Sequence, residues 1–179
     1  MPELRLEELS AKNIVAANTL TLKPGQEQFV APVSHSIAEA YVNPITSWPR
    51  VVLNGDEVVG FIMGNFDPDA REEEFRSCIW RINVSADAQG QGVGKFAVWA
   101  LAQEARLRGF ERLTVIWESG EDGPEEFFLR VGFEIVGQTR YGGQPDASQR
   151  QRGAEEEVPA EARLRRARRR AHAVTTPAL

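Results

Sequence analysis

The residues best placed to do chemistry are Gln89-Gly90-Gln91-Gly92-Val93-Gly94. Three glycines on alternate positions strip side chains from a short stretch, so main-chain N–H groups can converge on an anion. A strand-like run, Cys78 to Val84, precedes the stretch, and a helix-like run, Lys95 to Arg108, follows it. The helix start would add the positive end of its dipole. Strand, bare loop and helix N-terminus together make a phosphate cradle. Other reactive side chains are scarce. One cysteine excludes an internal disulfide and a cysteine-based metal cluster, and two histidines, His35 and His172, are too few for a metal site. Cys78 reads as a buried strand residue, since no histidine shares its segment.

The elements that must position the cradle follow from pattern. Leu4 to Leu9 alternates as a first strand, and Asn13 is expected to cap a helix through Ile14, Val15 and Leu20. Ser36 to Val42 reads as a second helix, stopped before Pro44. Arg50 to Leu53, Asn54-Gly55 and Val58 to Met63 spell a hairpin with a tight turn. After the cradle, Val93, Ala97, Ala100, Leu101 and Ala105 line one helical face, which Gly109 ends. Leu113 to Trp117 reads as a strand, Gly123-Pro124-Glu125-Glu126 opens a short helix, and Phe133 to Val136 is a last strand. The polar stretch from Asp67 to Glu74 reads as a loop.

Bulk properties allow one domain with an appendage. The chain has 179 residues, 42% hydrophobic and 26% charged, with no apolar run near the length of a membrane span. The first residues lack a signal-peptide pattern, so a cytoplasmic protein is expected. Residues 145–179 hold eight arginines against five acids, which divides the net charge of −5 into −8 for residues 1–144 and +3 for the rest. An acidic body argues against nucleic acid and favours a cationic substrate, with only the basic tail able to bind a polyanion. The domain is therefore drawn at 1–144. Residues 145–179, rich in Arg, Ala and Glu, are expected to be a mobile or non-homologous tail.

Two phosphate ligands compete. Gly92-Val93-Gly94-Lys95-Phe96-Ala97 satisfies a loose dinucleotide fingerprint. In that fold, however, the strand runs almost directly into the first glycine, whereas Ser85 to Gln91 intervene here. The alternative is the [Q/R]-x-x-G-x-[G/A] loop, which Gln89 to Gly94 matches completely. With the order strand, two helices, three strands, helix, strand, helix, strand, and with Gly132-Phe133 as a landmark, the chain resembles the GNAT-type N-acetyltransferases through about residue 137. Trp80-Arg81 and Gly123-Pro124-Glu125 are most similar to bacterial spermine/spermidine N-acetyltransferases.

The resemblance implies an α+β fold, a central mixed sheet flanked by helices, from which the last strand, normally near residue 144, is expected to be missing. It implies acetyl-CoA as cosubstrate, a small-molecule amine acceptor such as a polyamine, no membrane, and a possible homodimer. Main-chain N–H groups of Gln89, Gly90, Gln91, Gly92, Val93, Gly94 and Lys95 would hold the pyrophosphate. Ile82, Asn83 and Val84 would offer strand edge to the pantetheine arm, with a main-chain N–H near Val84 polarising the thioester carbonyl. The family's general-acid tyrosine falls at Phe128, which has no proton to donate and would pack beneath the cofactor. Tyr141 is the alternative acid. Glu118 is the candidate base or amine anchor, and Asp67, Asp69 and Glu72-Glu73-Glu74 could rim a polyamine site. A protein N-terminus, an aminoglycoside, or a non-catalytic acyl-CoA sensor of the same fold stay open.

Overall fold

The computed structural model describes residues 3–118, 120, 122–139 and 171–175. In chain order these form β1 (Leu4–Glu7), α1 (Ile14–Asn18), α2 (Val33–Val42), β2 (Ser47–Asn54), β3 (Glu57–Phe66), β4 (Ser77–Val84), α3 (Val93–Leu107), β5 (Thr114–Glu118), α4 (Glu125–Arg130), β6 (Glu134–Thr139) and β7 (Ala171–Thr175). The strands make one seven-stranded sheet in the order β1-β2-β3-β4-β5-β7-β6. Only β4 and β5 run parallel; the other neighbours are antiparallel. None of the described helices is long and apolar enough to cross a membrane.

Alternation along the central strands divides the core between two faces. Val52, Ile62 and Ile79 face α3, where they meet Ala97, Leu101 and Ala105. Val51, Phe61, Met63 and Trp80 face α1 and α2, where they meet Ala17 and Ala40. The β2–β3 turn is tight because Gly55 takes φ +58° between the paired residues Asn54 and Glu57.

Two expectations are corrected. Asn13 does not cap α1 through its side chain. Its Oδ1 accepts from the Ser10 N–H at 2.9 Å and its Nδ2 donates to Glu8 O at 2.9 Å, so it braces the preceding turn instead. The sheet's last strand is not missing. Ala171–Thr175 supplies it, inserted between β5 and β6, far along the chain from residue 144. The acidic stretch from Asp67 reaches the end of the sheet where β4 and β5 pair: Thr114 Oγ1, at the start of β5, donates to Glu74 O, and the adjoining Phe75 packs against the cleft residue Ile116. Propensity favours a helix over Ala160 to Ala171; of these only Ala171 is among the described residues, as the first of β7.

Candidate functional site

Parallel strands normally stay paired along their length, but β4 and β5 do not. They pair only at Cys78↔Thr114 and Ile79↔Val115, and then part. A β-bulge coincides with the parting: Met63 pairs with Arg81 and Gly64 with Ile79, which leaves Trp80 as the extra residue. A cleft of about 430 Å³ opens in the gap. Ile82 and Val84 wall it on one side, Ile116 and Trp117 on the other, with Phe127 and Phe128 of α4 alongside.

The main chain of β4 is oriented by its far edge. The Ser85 N–H donates to Val59 O at 2.9 Å, toward β3. Alternation then turns the N–H and C=O groups of Val84 and Ile82 away from β3, into the cleft, and those of Asn83 toward β3. The Asn83 side chain is buried and donates to Ala31 O at 3.2 Å. Ile82 and the Val84 N–H therefore offer strand edge to the cleft, the Val84 carbonyl being taken by Gln89 Nε2 at 3.0 Å, and Asn83 stands behind it.

At the cleft's end lies the glycine loop. Gly90 takes φ +81° and Gly92 φ +88°, conformations that a side chain would strain. The Gln89 and Gln91 N–H groups are used within the turn, bonded to Ser85 O and Ala88 O. The N–H groups of Gly90, Gly92, Val93, Gly94 and Lys95 have no partner among the described residues. Five amides, three of them at the start of the 15-residue α3, thus form an anion site without side-chain charge. Gln89, Gly90 and Gly94 wall the cleft, Val93 is buried in the core, and the Lys95 side chain is exposed. A Cβ on Gly94 would stand 2.9 Å from Phe127 Cε2, so glycine is what lets α4 close on α3.

Phe128 is buried, stacked on Trp117 with ring centroids 5.2 Å apart, and edge-on to Phe133. Glu118 ends β5, half-buried, one residue past the cleft-wall Trp117. Tyr141 lies outside the described residues.

A buried ion pair beneath α2 went unread in the sequence. Arg81 Nη2 lies 3.2 Å from both Glu39 carboxylate oxygens, and Trp80 Nε1 donates to the same carboxylate at 3.0 Å. Trp80 and Arg81 wall the cleft. The only local signal was a glutamate on the helical face shared by Ser36 and Ala40, both buried. Lys23-Pro24-Gly25-Gln26 reads as a turn and is one, but nothing in the pattern tells that Leu22, Lys23, Gln26, Phe29 and Val30 line the cleft.

A strand pair that splays beside a glycine loop at a helix start is what the acetyltransferases build, and comparison with known proteins agrees. Residues 21–133 match the model of the acetyltransferase (GNAT) family. N-acetyltransferase 8F1 of Rattus norvegicus is 29% identical over 104 residues, 57% of this chain and 46% of that protein, so the match spans about half of the relative's length. The ribosomal-protein-S18-alanine N-acetyltransferase of Escherichia coli superposes with a TM-score of 0.62 at 16% identity, over 97% of this chain and 93% of its own. A GNAT family acetyltransferase from Elizabethkingia anophelis, solved with acetyl-CoA bound, gives 0.58 at 13% identity, over 97% of each chain. The family model spans the roof of the cleft, the bulged strand, the loop and α4, and this chain belongs to the acetyltransferase (GNAT) family.

Proposed function

We propose that the protein transfers an acetyl group from acetyl-CoA to the primary amine of a small acceptor. The observation that carries the proposal is the edge of β4 turned away from β3: the Ile82 main-chain groups and the Val84 N–H face a cleft that ends at five loop amides unpartnered among the described residues. A diphosphate fits the amides, an amide-bearing arm fits the strand edge, and the two lie in one continuous groove.

The transfer joins the amine nitrogen to the thioester carbonyl carbon, breaks the C–S bond and releases a thiolate. The carbonyl oxygen gathers negative charge, which a cleft-facing N–H of β4 would stabilise. An alkylamine with a pKa of about 10 must lose a proton first, and Glu118 at the end of β5 is the proposed acceptor of that proton or anchor for the amine. Phe128 donates nothing, so the thiolate, whose conjugate acid has a pKa of about 8.5 if it behaves like cysteine, leaves without help from that position. Asp122 and Glu126 put carboxylates in the cleft wall, beside Lys23 and Arg130. Since Lys23, Arg81 and Arg130 balance these two acids in the lining, the acidic body of the chain is what favours a polyamine as the acceptor class.

Phe128 also supports a second reading, an acyl-CoA sensor without turnover. Calorimetric titration with acetyl-CoA, followed by thiol release across a panel of polyamines, amino acids, aminoglycosides and peptide N-termini, separates the two. Binding with release supports the enzyme and binding without release supports the sensor. Absence of binding refutes both.

A further inference from the structure

We propose that Gln26 is a positioning residue for the phosphate loop, a role that rests on acetyl-CoA occupying that loop. Gln26 lies in the turn before α2, 63 positions from Gln89. The two side-chain amides bond reciprocally: Gln89 Nε2 donates to Gln26 Oε1 at 2.7 Å, and Gln26 Nε2 donates to Gln89 Oε1 at 3.1 Å.

Main-chain partners fix which way each amide points. A backbone N–H can only donate, and that of Lys23 donates to Gln26 Oε1 at 3.1 Å. A backbone carbonyl can only accept, and Val84 O accepts from Gln89 Nε2 at 3.0 Å. Neither amide can flip without breaking one of these bonds. A second strut runs alongside, from the Ala86 N–H to Thr21 O at 2.7 Å.

The consequence concerns the loop. The Gln89 side chain is fully engaged with Gln26 and the end of β4, so its role in anion binding is indirect. It pins the residue immediately before Gly90, where the unpartnered amides begin. Glycine-rich backbone loses the most freedom on ordering, so a loop held in place before binding retains more of its affinity. The clasp supplies that hold from outside the loop. It also ties the anion site to the covering stretch, since Leu22, Lys23, Phe29 and Val30 wall the same cleft.

The test uses the full-length chain and Gln26→Met, which keeps volume and removes both donor and acceptor. Dissociation constants are measured calorimetrically for acetyl-CoA and for acetyl-pantetheine, which carries the thioester arm but no diphosphate. The expected result is an affinity for acetyl-CoA lowered about fivefold to tenfold, the scale of one or two hydrogen bonds, with acetyl-pantetheine unchanged. Gln26→Met added to Gln89→Met should cost nothing further. Equal losses for both ligands would mean that Gln26 only supports the fold and would overturn the proposal, as would additive losses in the double variant. Wild-type protein that binds acetyl-CoA, beside a variant that binds it equally well, sinks this proposal alone. Wild-type protein that does not bind it sinks the functional reading, and this one with it.

Discussion

Phe128 carries the sharpest consequence at the scale of single residues. Its ring stacks on Trp117 and meets Phe133 edge-on, and it puts no proton donor at its own place in the cleft wall. Phe128→Tyr keeps the stack and adds a hydroxyl. It should raise kcat by about tenfold near neutral pH, less than a general acid often gives because a thiolate leaves readily. Steady-state thiol release checks this, and an unchanged kcat would leave position 128 a packing role only. The Glu39–Arg81 pair makes the complementary case, where charge is structural. With side chains 9% and 4% exposed, neither ion can turn to water. Glu39→Ala should cost about 3–5 kcal/mol, because it removes the carboxylate that balances a buried guanidinium. Replacing both residues by apolar ones of similar size should cost less, and urea unfolding of the single and double variants measures the difference.

At the scale of elements, the loop and α3 show what a sequence records locally. Positive φ at Gly90, Gly92 and Gly109 is written as glycine at those positions, so the cradle and the end of α3 could be read in place. The bulge at Trp80 has no such mark, since it arises from the register between β3 and β4 rather than from residue type. The Glu39–Arg81 and Gln26–Gln89 contacts join positions 42 and 63 residues apart, which no window of periodicity spans. Gly94 sits between these cases. Its place in the motif was legible, but its second task, admitting Phe127 against the start of α3, was not. Gly94→Ala must push α4 away from α3, an overpacking cost of about 1–3 kcal/mol. The same shift widens the cleft beside the amides, so the acetyl-CoA dissociation constant should rise with the loss of stability. Calorimetric binding and thermal unfolding of the variant test both effects together.

Across the whole molecule, the cleft depends on a strand the sequence did not reveal. Ala171–Thr175 follows an arginine-rich run and is too short for its own alternation to stand out; what makes it a strand is the pair of edges that β5 and β6 present to it. Its insertion fixes β5 from the side opposite the gap, with Trp117 paired to His172 in register. Because β5 carries one wall of the cleft and is tied to β4 at only two positions, β7 is its principal support. Proline at Val174, which lies in register with both Val115 and Ile135, removes an N–H from an interior strand and leaves a carbonyl unpaired. Val174→Pro should therefore cost about 1–3 kcal/mol. A ligand that grips both walls of the cleft should offset that loss. At a hundred times its dissociation constant acetyl-CoA adds about 2.7 kcal/mol to the folded state, or about 5–10 °C of melting temperature for a chain of this size. Thermal unfolding with and without acetyl-CoA should show the variant melting lower than wild type alone and recovering most of the difference when ligand is present. A variant that melts lower and gains nothing from the ligand no longer binds it, which would overturn the expectation that β7 only supports the groove.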